Sequence, residues 1–68
     1  MNMQITLNGK KVAIKPQISL LDVLKMQGFE LERLVIEHNF EIVKKEAWGN
    51  VVLKPNDNLE VLRFVGGG

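Results

Sequence analysis

Met3, Ile5 and Leu7 alternate with Gln4 and Thr6, the period-two pattern of a strand with one face buried. Asn8-Gly9 follows at once, and because both residue types tolerate positive φ the dipeptide predicts a two-residue hairpin turn. That turn sets a register with Ile5 opposite Val12 and Met3 opposite Ile14, so apolar side chains meet on one face. Pro16 ends the second strand. Ser19 then opens a helix, its hydroxyl placed to cap the free backbone donors and Asp22 placed near the positive helix end. Ile18 and Val23 fall at the positions of a hydrophobic staple across the cap. Gly28 stands where a left-handed C-terminal cap belongs, with Phe29 able to fold back on Leu24. The spacing predicts a helix over 20–27 with Leu20, Val23, Leu24 and Leu21 turned inward.

The second half of the chain reads as strands. Leu34-Val35-Ile36 and Ile42-Val43 are apolar and flank the stretch Glu37-His38-Asn39-Phe40-Glu41, which predicts a second hairpin. Trp48-Gly49-Asn50 marks a turn, Val51-Val52-Leu53 a short strand, and Pro55-Asn56-Asp57-Asn58 a loop. Leu59 to Val65 forms the last strand, followed by Gly66-Gly67-Gly68. One amphipathic helix and one sheet bury each other's apolar faces, which gives a two-layer α+β domain. A mixed four- to five-stranded sheet packed on one main helix is the β-grasp, or ubiquitin-like, arrangement. Residues 1–65 are expected to form that domain and 66–68 a flexible C-terminal tail.

Composition narrows the chemistry. A chain of 68 residues has room for one small core and little volume for a deep active site. Net charge is +1, so no strong field draws it to nucleic acid or membrane. It contains no cysteine, which removes disulfides, thiolate nucleophiles and thiolate metal sites together. Neither a signal peptide nor an apolar run near the ~20 residues of a membrane span is visible, and a cytoplasmic location is expected.

Few side chains offer catalysis. The single histidine, His38, rules out a metal site built on several imidazoles, and beside a turn it is read as a solvated loop residue. Glu37 and Glu41 flank the same turn and are read as residues that keep it wet. Lys10-Lys11 and Lys44-Lys45 lack interleaved aromatics and read as solvated faces. Trp48 is read as a partly buried core anchor. No glycine-rich phosphate loop occurs, so ATP would be handled by another protein.

The terminal glycines stand out. Glycine makes up about 7% of residues on average, so three at three set positions arise by chance in roughly 0.03% of chains. Without a Cβ, such a tail passes through a channel where any side chain would clash, and it leaves a carboxylate free to react. The other reading is a frayed end. A carboxylate is a poor electrophile, and the usual activation is an acyl-adenylate made from ATP by a partner enzyme. Ahead of the tail, Leu59, Val61 and Val65 lie on one face of the last strand, Leu62 and Phe64 on the other. Apolar residues on both faces mean either a docking patch beside the tail or a sheet curled enough to bury both sides.

Several segments together resemble the ThiS family of thiamine-biosynthesis sulfur carriers. They are Asn8-Gly9-Lys10, Ser19-Leu20-Leu21-Asp22-Val23-Leu24, the run Val35 to Val43, Trp48, Asp57-Asn58-Leu59-Glu60-Val61 and the ending Phe64-Val65-Gly66-Gly67-Gly68. The resemblance implies that Gly68 is adenylated by a ubiquitin-activating-like adenylyltransferase and converted to a thiocarboxylate. Sulfur would come from a donor such as a cysteine desulfurase and pass to thiazole synthase. Gly67 carries over as the penultimate glycine of the tail. With the tail and last-strand reading above, Gly66 and Gly67 are expected to thread into partners and Leu62, Phe64 and Val65 to dock them, the chain being a protein co-substrate without a stably bound cofactor or metal. Two departures from the family's usual pattern are local: Pro55-Asn56-Asp57 stands for Asp-Gly-Asp, and Asn39-Phe40 for Asn-Gly. A molybdopterin-type sulfur carrier, a ubiquitin-like protein modifier and a plain interaction domain remain alternatives.

Overall fold

The computed structural model describes residues 1–65. Strands β1 (Met3–Leu7) and β2 (Lys10–Ile14) form the first hairpin, with Ile5 opposite Val12 and Met3 opposite Ile14 as the alternation requires. Asn8 and Gly9 both take positive φ, 50° and 81°, the geometry of a turn whose twist matches that of the flanking strands.

Helix α1 (Leu20–Met26) starts where Ser19 accepts the Asp22 N–H through its hydroxyl at 3.0 Å, a cap that contributes about 1 kcal/mol. Its far end closes with Gly28 at φ 80°. There the Phe29 N–H reaches the Leu24 carbonyl and the Gly28 N–H reaches that of Lys25, both at 3.1 Å, which satisfies two of the carbonyls a helix terminus leaves free. Leu20, Val23 and Leu24 are buried and Leu21 half-buried.

Strands β3 (Leu34–His38) and β4 (Glu41–Val43) make the second hairpin. It is tighter than the sequence suggests: β3 runs on through Glu37 and His38, and Asn39 and Phe40 alone form the turn, at φ 50° and 72°. A 3-10 helix over Lys45–Asn50 replaces the simple turn expected at Trp48. It buries Trp48, whose indole N–H donates to the Val43 carbonyl at 2.9 Å. Val51-Val52-Leu53 is not a strand. These residues make one bridge, Ser19 to Val52, and tether the segment before α1 through Leu20 N–H to Val51 and Leu53 N–H to Ile18. Val52 alone meets a strand-like partner there, so no ladder forms.

Strand β5 (Asn58–Arg63) completes a five-stranded sheet in the order β2-β1-β5-β3-β4. It lies parallel to β1 and antiparallel to β3, so the sheet is mixed. One face carries Ile5, Leu7, Ile14, Ile36, Leu59 and Val61, which share a core with the helix residues, Trp48 and Leu53. Strand pairing ends at Arg63 rather than Val65, but Phe64 still donates its N–H to the Arg33 carbonyl at 3.0 Å.

Candidate functional site

Asn58, Glu60 and Leu62 alternate with the buried Leu59 and Val61 and therefore face away from the core. The register places Leu62 opposite Val35, Glu60 opposite Glu37, and Glu37 opposite Ile42. Leu62 is 52% exposed and Phe64 51%, so the sheet does not curl to bury this side; the apolar residues on the outer face of β5 lie in solvent. Val65 and Ile42 are exposed as well. An apolar surface thus leads along β5 to the point where the described chain ends. Gly66, Gly67 and Gly68, the expected threading and reacting residues, lie outside the described residues.

His38 is not the solvated loop residue expected from sequence. It sits on β3 facing Leu59 across the ladder, and its Nε2 lies 2.7 Å from Oδ2 of Asp57. Asp57, 8% exposed, also accepts the Lys54 N–H at 2.9 Å and the Asn39 side-chain amide at 3.1 Å. Burial pushes the Asp57 carboxyl up. The bonds from His38, the Lys54 backbone and Asn39, with the charge His38 carries when protonated, outweigh it and hold the group below the ordinary carboxylate range. An ionised carboxylate only accepts, so His38 donates from Nε2. Asn39 completes the clasp by accepting the Asn58 N–H on its side-chain oxygen at 2.8 Å. These residues bind the β3–β4 turn to the start of β5 and fix the register that turns Leu62 outward. They stand at the end of β5 away from Arg63, which gives them a structural part rather than a chemical one.

Asn8 does more than turn the hairpin. Its side-chain oxygen accepts the Val61 N–H at 2.7 Å and its amide donates to the Val61 carbonyl at 3.2 Å. The side chain continues the short parallel pairing of β1 with β5 past the point where the β1 backbone turns away. Glu37 is half-buried in its strand and Glu41 exposed, as are Lys10, Lys11, Lys44 and Lys45.

Among the described residues no three histidine, cysteine or acidic side chains gather where they would hold a metal ion. A depression beside Gln4, Thr6 and Lys11 has a cavity volume of about 70 Å³, against roughly 300–1,000 Å³ for small-molecule pockets. No helix among the described residues is long and apolar enough to cross a membrane.

The family model for ThiS matches residues 4–68. The chain belongs to the ThiS family. The sulfur carrier protein ThiS of Bacillus subtilis is 37% identical over 65 residues, covering 94% of this chain and 98% of that protein. A thiazole synthase of Magnetococcus marinus is 36% identical over 66 residues; the match takes in 97% of this chain but 20% of the synthase. The chain therefore spans about a fifth of the thiazole synthases it matches. Among solved structures, the crystal structure of the thiamine biosynthesis protein ThiS from Geobacter metallireducens superposes with a TM-score of 0.84 at 29% identity, covering 97% of this chain and all of that one. The ThiS fold is the β-grasp described above, with its mixed sheet and one main helix.

Proposed function

We propose that this chain is a sulfur carrier for thiamine biosynthesis and that its sulfur is held on the carboxyl group of Gly68. The observation that carries this reading is the ThiS family match, which spans Gln4 through Gly68. Placement of Leu62, Phe64 and Val65 in solvent at the end of β5 supports it, because a carrier needs a surface by which partners recognise the body that bears the tail.

The chemistry follows from the carboxylate. Its delocalised charge makes the carbon unreactive, so an adenylyltransferase of the ubiquitin-activating type joins a Gly68 oxygen to the α-phosphorus of ATP and releases pyrophosphate. A persulfide donor, its sulfur drawn from a cysteine desulfurase upstream, then attacks the acyl carbon and expels AMP. A second partner thiol cleaves the resulting acyl disulfide, pairing with the donor sulfur and releasing the thiocarboxylate. Gly66 and Gly67, without a Cβ, pass into the partners' channels, while Leu62, Phe64 and Val65 dock against their surfaces. The chain acts as a co-substrate with no catalytic role and no stably bound cofactor, and ATP is consumed by the partner. Its place of work is the cytoplasm. Thiazole synthase is the acceptor, a reading supported by the synthases of which a matching segment forms a fifth.

Reconstitution tests the acceptor. The thiocarboxylate form, mixed with thiazole synthase and its small-molecule substrates, is expected to yield the thiazole product, while the chain lacking Gly67 and Gly68 yields none. Sulfur delivered to a molybdopterin precursor instead, or glycine-linked conjugates on the lysines of other proteins, would overturn the assignment.

A further inference from the structure

The β3–β5 ladder pairs Leu34 with Arg63 and Val35 with Leu62, and the next position brings Arg33 to Phe64. There the Phe64 N–H donates to the Arg33 carbonyl at 3.0 Å. Arg33 holds this carbonyl from a left-handed backbone, φ 60°, a conformation that costs an ordinary residue and is adopted freely by glycine and more readily by asparagine. Asparagine takes it at the other end of the same ladder, where Asn39 is at φ 50° and its N–H reaches the Asn58 carbonyl at 2.8 Å. Arginine has no short polar side chain to favour it there. Its effect is on the chain: a left-handed residue turns the backbone aside, so β3 begins only at Leu34. An extended Arg33 would carry the same register one step further and set Glu32 against Val65, zipping the root of the tail into the sheet.

We propose that Arg33 is a positioning residue: its left-handed backbone supplies the last rung to β5 at Phe64 and ends the ladder there, fixing where the chain leaves the sheet on its way to partners. The proposal rests on the carrier reading above. Strain at a non-glycine residue persists where surrounding structure holds it, and such positions gather at functional sites. Here the held residue lies directly across from the root of the reactive tail.

The test compares Arg33→Gly, Arg33→Asn and Arg33→Val. Two readouts are taken: hydrogen exchange at the Phe64 amide, and ATP–pyrophosphate exchange by the adenylyltransferase as the carrier concentration is varied. Glycine and asparagine accept positive φ, and both variants are expected to stay within about twofold of the parent in each measurement. Valine resists that backbone. Its variant is expected to exchange Phe64 about tenfold faster and to raise the KM for carrier about fivefold, with kcat little changed. Exchange at Ile36, buried at the middle of β3, serves as the folding control and should stay slow in all three. An asparagine variant as poor as the valine one would assign the effect to the guanidinium and overturn the proposal. So would a valine variant equal to the parent. A parent chain that elicits no pyrophosphate exchange would instead bring down the carrier reading itself, while Phe64 exchange would still show whether the backbone of Arg33 holds the rung.

Discussion

Replacing Asp57 by alanine removes the acceptor of three hydrogen bonds at once, from His38, the Lys54 N–H and the Asn39 amide. A hydrogen bond to a charged group contributes about 1.5–3 kcal/mol, but the three are not additive. His38 and Asn39 lie near enough to solvent to regain water, whereas the partly buried Lys54 N–H has less access. Relief of a buried carboxylate offsets part of the loss. The net expectation is about 2–3 kcal/mol, drawn from a total of roughly 3–10 kcal/mol for a domain this size, and a melting point lower by roughly 10–20 °C. Urea unfolding followed by the fluorescence of Trp48 reads it directly, since this is the chain's single tryptophan and it is buried. Acid supplies a second arm. The Asp57 carboxyl is held below its unfolded value, so its stabilisation is fully present above about pH 4 and is lost as pH falls through the lower folded value. The gap in stability between the parent and Asp57→Asn should therefore be constant near neutrality and narrow in acid. A loss under about 0.5 kcal/mol for the alanine variant, or a gap that widens as pH falls, would refute the clasp.

Phe40 holds φ 72° at a turn position that glycine fills without strain, and its ring is exposed; Phe40→Gly is expected to raise stability by about 0.5 kcal/mol, and a lower urea midpoint would mean that the ring makes contacts worth keeping. Leu62→Lys on the outer face should change unfolding free energy by less than about 0.5 kcal/mol while weakening adenylyltransferase binding at least about tenfold. Unchanged affinity in a titration would remove Leu62 from the docking surface.

What could be read from sequence was what local chemistry decides. Asn8-Gly9, the Ser19 cap and Gly28 each act within a few residues, and the structure places all three as the pattern demands. The alternation in β1 and β2 fixed their register because a slip of one residue would turn Ile5 and Ile14 to solvent. The clasp was illegible because its partners are far apart in the chain: His38 and Asp57 stand 19 residues apart, and no periodicity marks a polar pair whose meeting depends on how β3 pairs with β5. The same holds for the Asn8 side chain, which reaches Val61 across 53 residues. Val51-Val52-Leu53 misled because β-branched residues favour a strand yet cannot build one without a partner of matching length. For the candidate site, apolar residues on both faces of β5 were visible from Leu59 onward. Only the packed sheet decides that Leu62 and Phe64 remain in solvent. Arg33 gave no signal at all, since nothing in an arginine announces a left-handed backbone.

The most direct test of the carrier role is top-down mass spectrometry of the intact chain after incubation with adenylyltransferase, ATP and a sulfur source. Fragmentation is essential, because exchanging an oxygen for sulfur adds nearly the mass of one oxidised methionine, and the chain has three methionines. Sulfur localised to Gly68 and dependent on ATP is the predicted result; a Gly68 left unmodified, under conditions that charge a known sulfur carrier, would contradict it.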